Sequence, residues 1–160
     1  MKSSKTGVLL IQLGTPDSPS TADVRKYLRE FLMDARVIDV PYLVRQVLVN
    51  GIIANFRAPK SAKLYQEIWT KEGSPLLIYG KALKHDLQKK LGDTFIVELG
   101  MRYQQPPMRE ALERFRQAKV NKLILLPLYP QYASSSTGSS LQLAFETIAR
   151  WEVMPEFQQE

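Results

Sequence analysis

Three short apolar runs, each rich in Leu, Ile or Val, most constrain the fold of this chain. They cover residues 8–13, 95–99 and 122–128. Continuous apolar runs of this length are typical of strands that are buried on both faces of a parallel sheet. The stretches between them are long enough for helices, which parallel neighbours need as right-handed crossovers. The sequence therefore predicts an α/β fold with a doubly wound parallel sheet.

Helical patterns fill the spaces between the predicted strands. The first helix begins at Ser20 or Thr21, because either side chain can cap a helix. Pro59 is expected to separate the second helix from the third, since proline interrupts helices. We predict helices at about residues 20–33, 43–56, 61–69, 75–90 and 108–118, and from 138–140 to about 150.

The composition excludes several kinds of site. The 160 residues are the size of one domain and include no cysteine, which removes disulfides, thiolate-bound zinc and thiolate-held iron–sulfur clusters. His85 is the only histidine, and we expect it at the surface because its helical neighbours are charged. No metal site of the usual histidine and cysteine type can be built from this chain alone, and no bound cofactor is expected.

Charge and hydropathy predict a location and a class of partner. The sequence has no cleavable signal pattern and no run of about 18 apolar residues, so the cytoplasm is the expected location. The net charge of +6 suggests an anionic partner such as nucleic acid, phosphate, a carboxylated small molecule or a lipid surface, although a solvated basic surface explains it more simply. No basic stripe or stacking motif accompanies this charge, so nucleic acid is not a predicted partner.

Polar loops follow each predicted strand, and the carboxyl ends of parallel strands form the usual ligand edge of such a sheet. Arg102 and Tyr103 follow the second strand. They either bind a carboxylate or form a structural bridge between loops. Tyr129 and Tyr132 follow the third, where they either contact a flat ligand or pack the loop. The hydroxyl-rich run 134–140 opens a helix, which favours an anion, although ordinary helix capping explains it equally well.

Residues 40–56 contain few polar side chains for a surface helix. They form either a buried core helix or an exposed apolar patch that contacts a hydrophobic ligand, a partner or a membrane surface. Arg57, Lys60 and Lys63 place basic groups directly beside this segment.

Four motifs, in this order and over most of the chain, resemble those of the ferrochelatases: QLGTP (12–16), YQEIWTKEGSPL (65–76), GMRY (100–103) and LPLYPQYASSSTGSS (126–140). The resemblance implies insertion of Fe²⁺ into protoporphyrin IX to form protohaem, in a cleft between two similar Rossmann-like domains. It implies that residues 1–150 are the N-terminal porphyrin-binding domain. Residues 151–160 would then begin the connection to a C-terminal domain outside this chain.

The resemblance also implies roles for individual residues. Arg57, Tyr65 and Ser74 match positions that hold porphyrin propionates, and Arg102 and Tyr103 match the cleft wall beside the path of the metal. Three further side chains are expected to line the cleft, namely Tyr129, Ser136 and Thr137.

Other parts of the resemblance concern the metal and the entry of the porphyrin. Leu13 matches a position near the porphyrin centre, where leucine, unlike tyrosine, cannot coordinate a metal. Residues 31–56 match a hydrophobic lip with possible membrane contact. The expected catalytic histidine and glutamate belong to the second domain, so this chain alone should bind porphyrin weakly and not turn over. The alternatives are a non-catalytic porphyrin- or haem-binding module and, with less support, a phosphate-binding domain that uses the loop at 134–140.

Overall fold

The computed structural model describes residues 5–159 and contains a four-stranded parallel sheet. Its strands are β1 (Thr6–Gly14), β2 (Phe95–Tyr103), β3 (Lys122–Pro127) and β4 (Glu156–Gln159), in the spatial order β2-β1-β3-β4. Thr6 pairs with Lys122 at the start of β1, and Ile11 pairs with Pro127 near its end. The predicted α/β fold and its three parallel strands are therefore confirmed.

The helices lie between the strands in the predicted order. They are α1 (Thr21–Leu32), α2 (Tyr42–Gln46), a π-helical segment (Val47–Ile53), α3 (Ala54–Ile68), α4 (Pro75–Leu91), α5 (Met108–Gln117), a π-helical turn (Ser134–Gly138) and α6 (Ser139–Ile148). Ser20 caps α1 as predicted, because its hydroxyl accepts a hydrogen bond from the backbone N–H of Asp23 at 3.2 Å. Among residues 5–159, no helix has the length and apolar content that crossing a membrane requires.

The chain divides into two compact units. The first, which we call the sheet unit, holds the described residues up to Leu13, Tyr79–Arg102 and everything from Pro106 onwards. Its core packs Leu9 and Ile11 of β1 against Leu112 and Phe115 of α5, all fully buried. The second, the insertion unit, holds Gly14–Ile78 and Tyr103–Gln105.

The prediction that Pro59 separates two helices was wrong, because Pro59 lies inside α3. A proline in a helix interior costs about 3 kcal/mol. Ala54, Ala58 and Ala62 form a fully buried stripe on this helix, which packs against α1. We attribute the continuous helix to this packing of small side chains, which outweighs the proline.

Two other segments differ from the prediction. The expected helix over 43–56 is divided into α2, the π-helical segment and the start of α3. The side-chain amide of Asn55 donates to the backbone oxygens of Asn50 and Gly51, which stabilises the wider π-helical turns. β4 was not predicted as a strand, yet it pairs with β3 from Glu156 onwards. The proposed role of residues 151–160 as a connection stays a prediction.

Candidate functional site

The sheet unit brings Arg102, at the end of β2, to the first turn of α6. The Arg102 guanidinium donates through Nε to the hydroxyl of Ser139 at 2.7 Å. The hydroxyls of Tyr129 and Ser140 are hydrogen-bonded at 3.0 Å. Ser139 and Ser140 are almost completely buried, at 1% and 0% exposed, so these hydroxyls fix the two larger side chains. We call Arg102, Tyr129, Ser139 and Ser140 the α6 cluster.

The charge state of Tyr129 follows from its surroundings. Burial raises the pKa of the Tyr129 phenol, while the hydrogen bond with Ser140 and the charge of Arg102 act in the opposite direction. The net shift is upward, so the phenol keeps its proton at neutral pH. Arg102 is also protonated at neutral pH, because guanidinium groups do not lose their proton in proteins. The α6 cluster therefore offers hydrogen-bond donors and one positive charge.

The hydroxyls before α6 do not act as ordinary helix caps. Neither the π-helical turn at 134–138 nor α6 has a side-chain hydrogen bond at its N-cap. Thr137 is buried and Ser136 is partly buried in that turn. The structure therefore does not support the capping alternative. Ser139 and Ser140 instead form hydrogen bonds with Arg102 and Tyr129.

The insertion unit contains the three residues that the resemblance assigns to propionates. Thr15 donates to the Ser74 hydroxyl at 2.8 Å, and both residues are buried. Tyr65 on α3 is partly buried, and Arg57 on the same helix is exposed. Burial raises the pKa of Tyr65, while a hydrogen bond with Tyr27 and the charge of Arg57 act to lower it. Tyr65 and Arg57 therefore lie close enough to interact electrostatically.

Tyr103 also belongs to the insertion unit, where it is only 1% exposed. Its hydroxyl donates to a carboxylate oxygen of Asp34 at 2.8 Å, and its ring meets the edge of Phe31 at 5.4 Å between centroids. The other Asp34 oxygen accepts from the backbone N–H of Arg36 at 2.8 Å. The Tyr103 phenol is therefore held from α1 and the loop after it. Asp34 was not predicted from the sequence, because a single aspartate in a loop forms no recognisable pattern.

The neighbour of Tyr103 has a strained backbone. Gln104 has φ of 62°, which is uncommon for a residue other than glycine. Glu30 on α1 accepts hydrogen bonds from both the backbone N–H and the side-chain amide of Gln104. These bonds stabilise the left-handed turn that ends β2.

Leu13 is partly buried in the sheet unit, at the carboxyl end of β1. Beside it, Gln12 is 8% exposed, and its side-chain oxygen has no hydrogen-bond partner among the described residues. His85 is exposed on α4, as predicted. Across residues 5–159, no group of three or more His, Asp or Glu side chains could hold a metal ion.

The family of the chain follows from comparison with known proteins. The family model described as Ferrochelatase matches residues 5–159. The chain belongs to the ferrochelatase family. It is similar to the ferrochelatase of Coxiella burnetii (strain RSA 493 / Nine Mile phase I), with 54% identity over 139 residues, which are 87% of this chain and 39% of that protein.

Two further ferrochelatases are similar over almost the whole chain. The protein of Chromobacterium violaceum is 47% identical over 156 residues, which are 95% of this chain and 43% of the relative. That of Shewanella denitrificans is 42% identical over 163 residues, which are 96% of this chain and 48% of the relative. The chain thus spans less than half of the length of the ferrochelatases that it matches.

Proposed function

We propose that this chain is the porphyrin-binding part of a ferrochelatase, which inserts Fe²⁺ into protoporphyrin IX to form protohaem. The family match over residues 5–159 carries the proposal. The α6 cluster supports it, because a protonated phenol, two hydroxyls and a guanidinium suit a flat ligand that carries carboxylates. Porphyrin and Fe²⁺ are the proposed substrates, and the cytoplasm is the proposed location.

The reaction exchanges two pyrrole protons for one Fe²⁺ ion. It requires that the macrocycle be held, that its nitrogen lone pairs tilt towards the metal, and that a base accept the protons. Arg57, Tyr65 and Ser74 would hold the propionates, and the α6 cluster would form a rigid wall. Arg102 and Tyr129 keep their own protons at neutral pH, so neither can accept those of the pyrroles. We therefore propose that the base lies in a second domain and that this chain alone does not turn over.

The test is anaerobic metal insertion into protoporphyrin, followed by absorbance with Fe²⁺ or by fluorescence with Zn²⁺. The 160-residue chain and a product extended to the length of its relatives are compared side by side. Activity only in the longer product supports the proposal. If both are inactive while porphyrin still quenches tryptophan fluorescence, the chain is a non-catalytic porphyrin- or haem-binding module. If phosphate compounds and not porphyrins raise the melting temperature, the phosphate-binding alternative is correct.

Ser74→Ala is expected to weaken binding of porphyrins with free propionates by about three- to tenfold, the effect of one hydrogen bond. Thr15 donates to the Ser74 oxygen, so the Ser74 hydrogen is directed elsewhere and can donate to a carboxylate. Binding of deuteroporphyrin and of its dimethyl ester is measured by fluorescence quenching, with Ser18→Ala as the control. Equal weakening for the acid and the ester would contradict the propionate role.

We also propose that the insertion unit contacts a membrane surface or the porphyrin through an exposed apolar face. Phe56 is 75% exposed, and the exposed basic residues Arg57, Lys60 and Lys63 lie on the same helix. Apolar side chains beside basic ones are typical of surfaces that bind anionic lipid. The large apolar residues that are exposed between positions 42 and 64, which we call the apolar face, are Tyr42, Leu43, Val44, Val47, Ile52, Phe56 and Leu64.

Phe56→Ser is expected to lower partition onto vesicles of phosphatidylcholine and phosphatidylglycerol by about ten- to 150-fold, since burial of a Phe side chain contributes about 1.5–3 kcal/mol. Val153→Ser is the matched control, because Val153 is 79% exposed but lies in the sheet unit. Co-sedimentation measures both variants. Equal losses for the two variants would contradict a specific contact through this face.

A further inference from the structure

Tyr27 lies on the buried face of α1, within a continuous line of aromatic rings in the insertion unit. It is only 5% exposed. Its ring lies parallel to that of Phe31, with centroids 6.1 Å apart and an interplanar angle of 2°. It also forms an edge-to-face pair with Tyr65, with centroids 6.4 Å apart and an interplanar angle of 86°. The Tyr27 ring is therefore held between a neighbour on its own helix and a residue of α3.

Tyr65 is in turn held on two sides. Besides the contact with Tyr27, its ring meets Trp69 at 6.2 Å and 78°. Edge-to-face pairs of this kind stabilise one ring orientation by about 0.5–1.5 kcal/mol beyond simple burial. The direction of the Tyr65 hydroxyl is thus set by packing, before any ligand binds.

We propose that Tyr27 is a positioning residue that fixes the direction of the Tyr65 phenol, so that this phenol can donate a hydrogen bond to a carboxylate. The inference rests on the proposed porphyrin function, because it assigns the orientation of a propionate-binding side chain to a residue that does not itself touch the ligand.

The electrostatics agree with this arrangement. The hydrogen bond with Tyr27 lowers the pKa of Tyr65 against the larger effect of burial, as expected when Tyr27 donates to the Tyr65 oxygen. The Tyr65 O–H is then directed away from Tyr27 and can donate in its turn. The positive charge of Arg57, on the same helix, also acts to lower the pKa of Tyr65, and it would favour an anionic ligand at this phenol.

The first experiment measures binding of deuteroporphyrin and its dimethyl ester to the 160-residue chain, by quenching of tryptophan fluorescence. Tyr27→Phe keeps the ring contacts and removes only the hydroxyl. Its Kd for deuteroporphyrin should rise about three- to tenfold, and its Kd for the ester should not change. Tyr65→Phe should give the same pattern, and the double variant should lose no more than Tyr65→Phe alone. Tyr79→Phe, at an exposed tyrosine of the sheet unit, is the control and should bind like the unchanged chain.

A second readout needs no ligand. A near-ultraviolet absorbance titration of the phenols, with Tyr65 assigned by difference from Tyr65→Phe, should show a higher Tyr65 pKa in Tyr27→Phe. If that pKa does not move, or if Tyr65→Phe weakens binding while Tyr27→Phe does not, the inference is overturned and the proposed function stands. If the unchanged chain binds neither porphyrin, the proposed function fails for this chain, and the titration alone decides whether Tyr27 positions Tyr65.

Discussion

Gly14→Ala is expected to destabilise the chain by about 3 kcal/mol or more, through backbone strain and overpacking together. Gly14 ends β1 with φ of +119°, which side chains other than glycine rarely adopt. A Cβ at this position would overlap the backbone oxygen of Tyr103 and lie 2.9 Å from its carbonyl carbon. Tyr103 cannot easily yield, because its phenol is bonded to Asp34 and its ring packs on Phe31.

Urea unfolding followed by circular dichroism measures this effect, with Gly51→Ala as the matched control. Gly51 is exposed in the π-helical segment, and no atom lies within 4 Å of a Cβ built there. Its replacement should change the free energy of unfolding by at most about 1 kcal/mol. If Gly14→Ala were as stable as the unchanged chain, the prediction would be wrong. The end of β1 could then move away from the end of β2 at little cost in free energy.

The first three strands were predictable because each is a mainly apolar run; β1 is almost entirely buried, and β3 buries Leu123 and Leu125. β4 was not predictable, since Phe157 is the only apolar residue among the four of this strand, and its pairing depends on β3. The prediction that Pro59 separates two helices was wrong because it considered only the local sequence. The local rule that proline ends a helix is correct for an isolated segment, but here the buried alanines of α3 decide the conformation.

The candidate site was predictable to a similar degree. Arg102, Tyr129 and the hydroxyl run carry motifs, and the sequence placed them at strand ends that share one edge of the sheet. Tyr27 appeared in the sequence only as one member of the apolar stripe of α1. Its contact with Tyr65 depends on how α1 packs against α3, which no local pattern encodes. Positioning residues such as Tyr27 can be identified only from the folded structure, in which helices that are distant in sequence pack against each other.

Arg102→Leu is expected to lower turnover of the extended protein by about 100-fold, the effect of removing one aligned electrostatic group from a water-poor site. Its cost in stability should be about 1 kcal/mol, smaller than the roughly 2.7 kcal/mol to which a 100-fold loss of turnover corresponds, because Ser139 loses only one partner. Arg109→Leu, at an exposed arginine of α5, should change neither quantity. Steady-state Zn²⁺ insertion and urea unfolding are measured on the same preparations.

Ser139→Ala separates the two roles that the sequence left open for Arg102. This variant removes the hydrogen bond from Arg102 to α6 but keeps the guanidinium, so a bridging role that depends on this bond would be weakened in both variants. If Arg102 instead acts on the porphyrin, Ser139→Ala should keep most of the turnover, because a less firmly held guanidinium still carries its charge and its donors. Equal losses of turnover and stability in both variants would establish the bridge. A large loss of turnover confined to Arg102→Leu would place the guanidinium at the reaction and show that the hydrogen bond with Ser139 is not required for it.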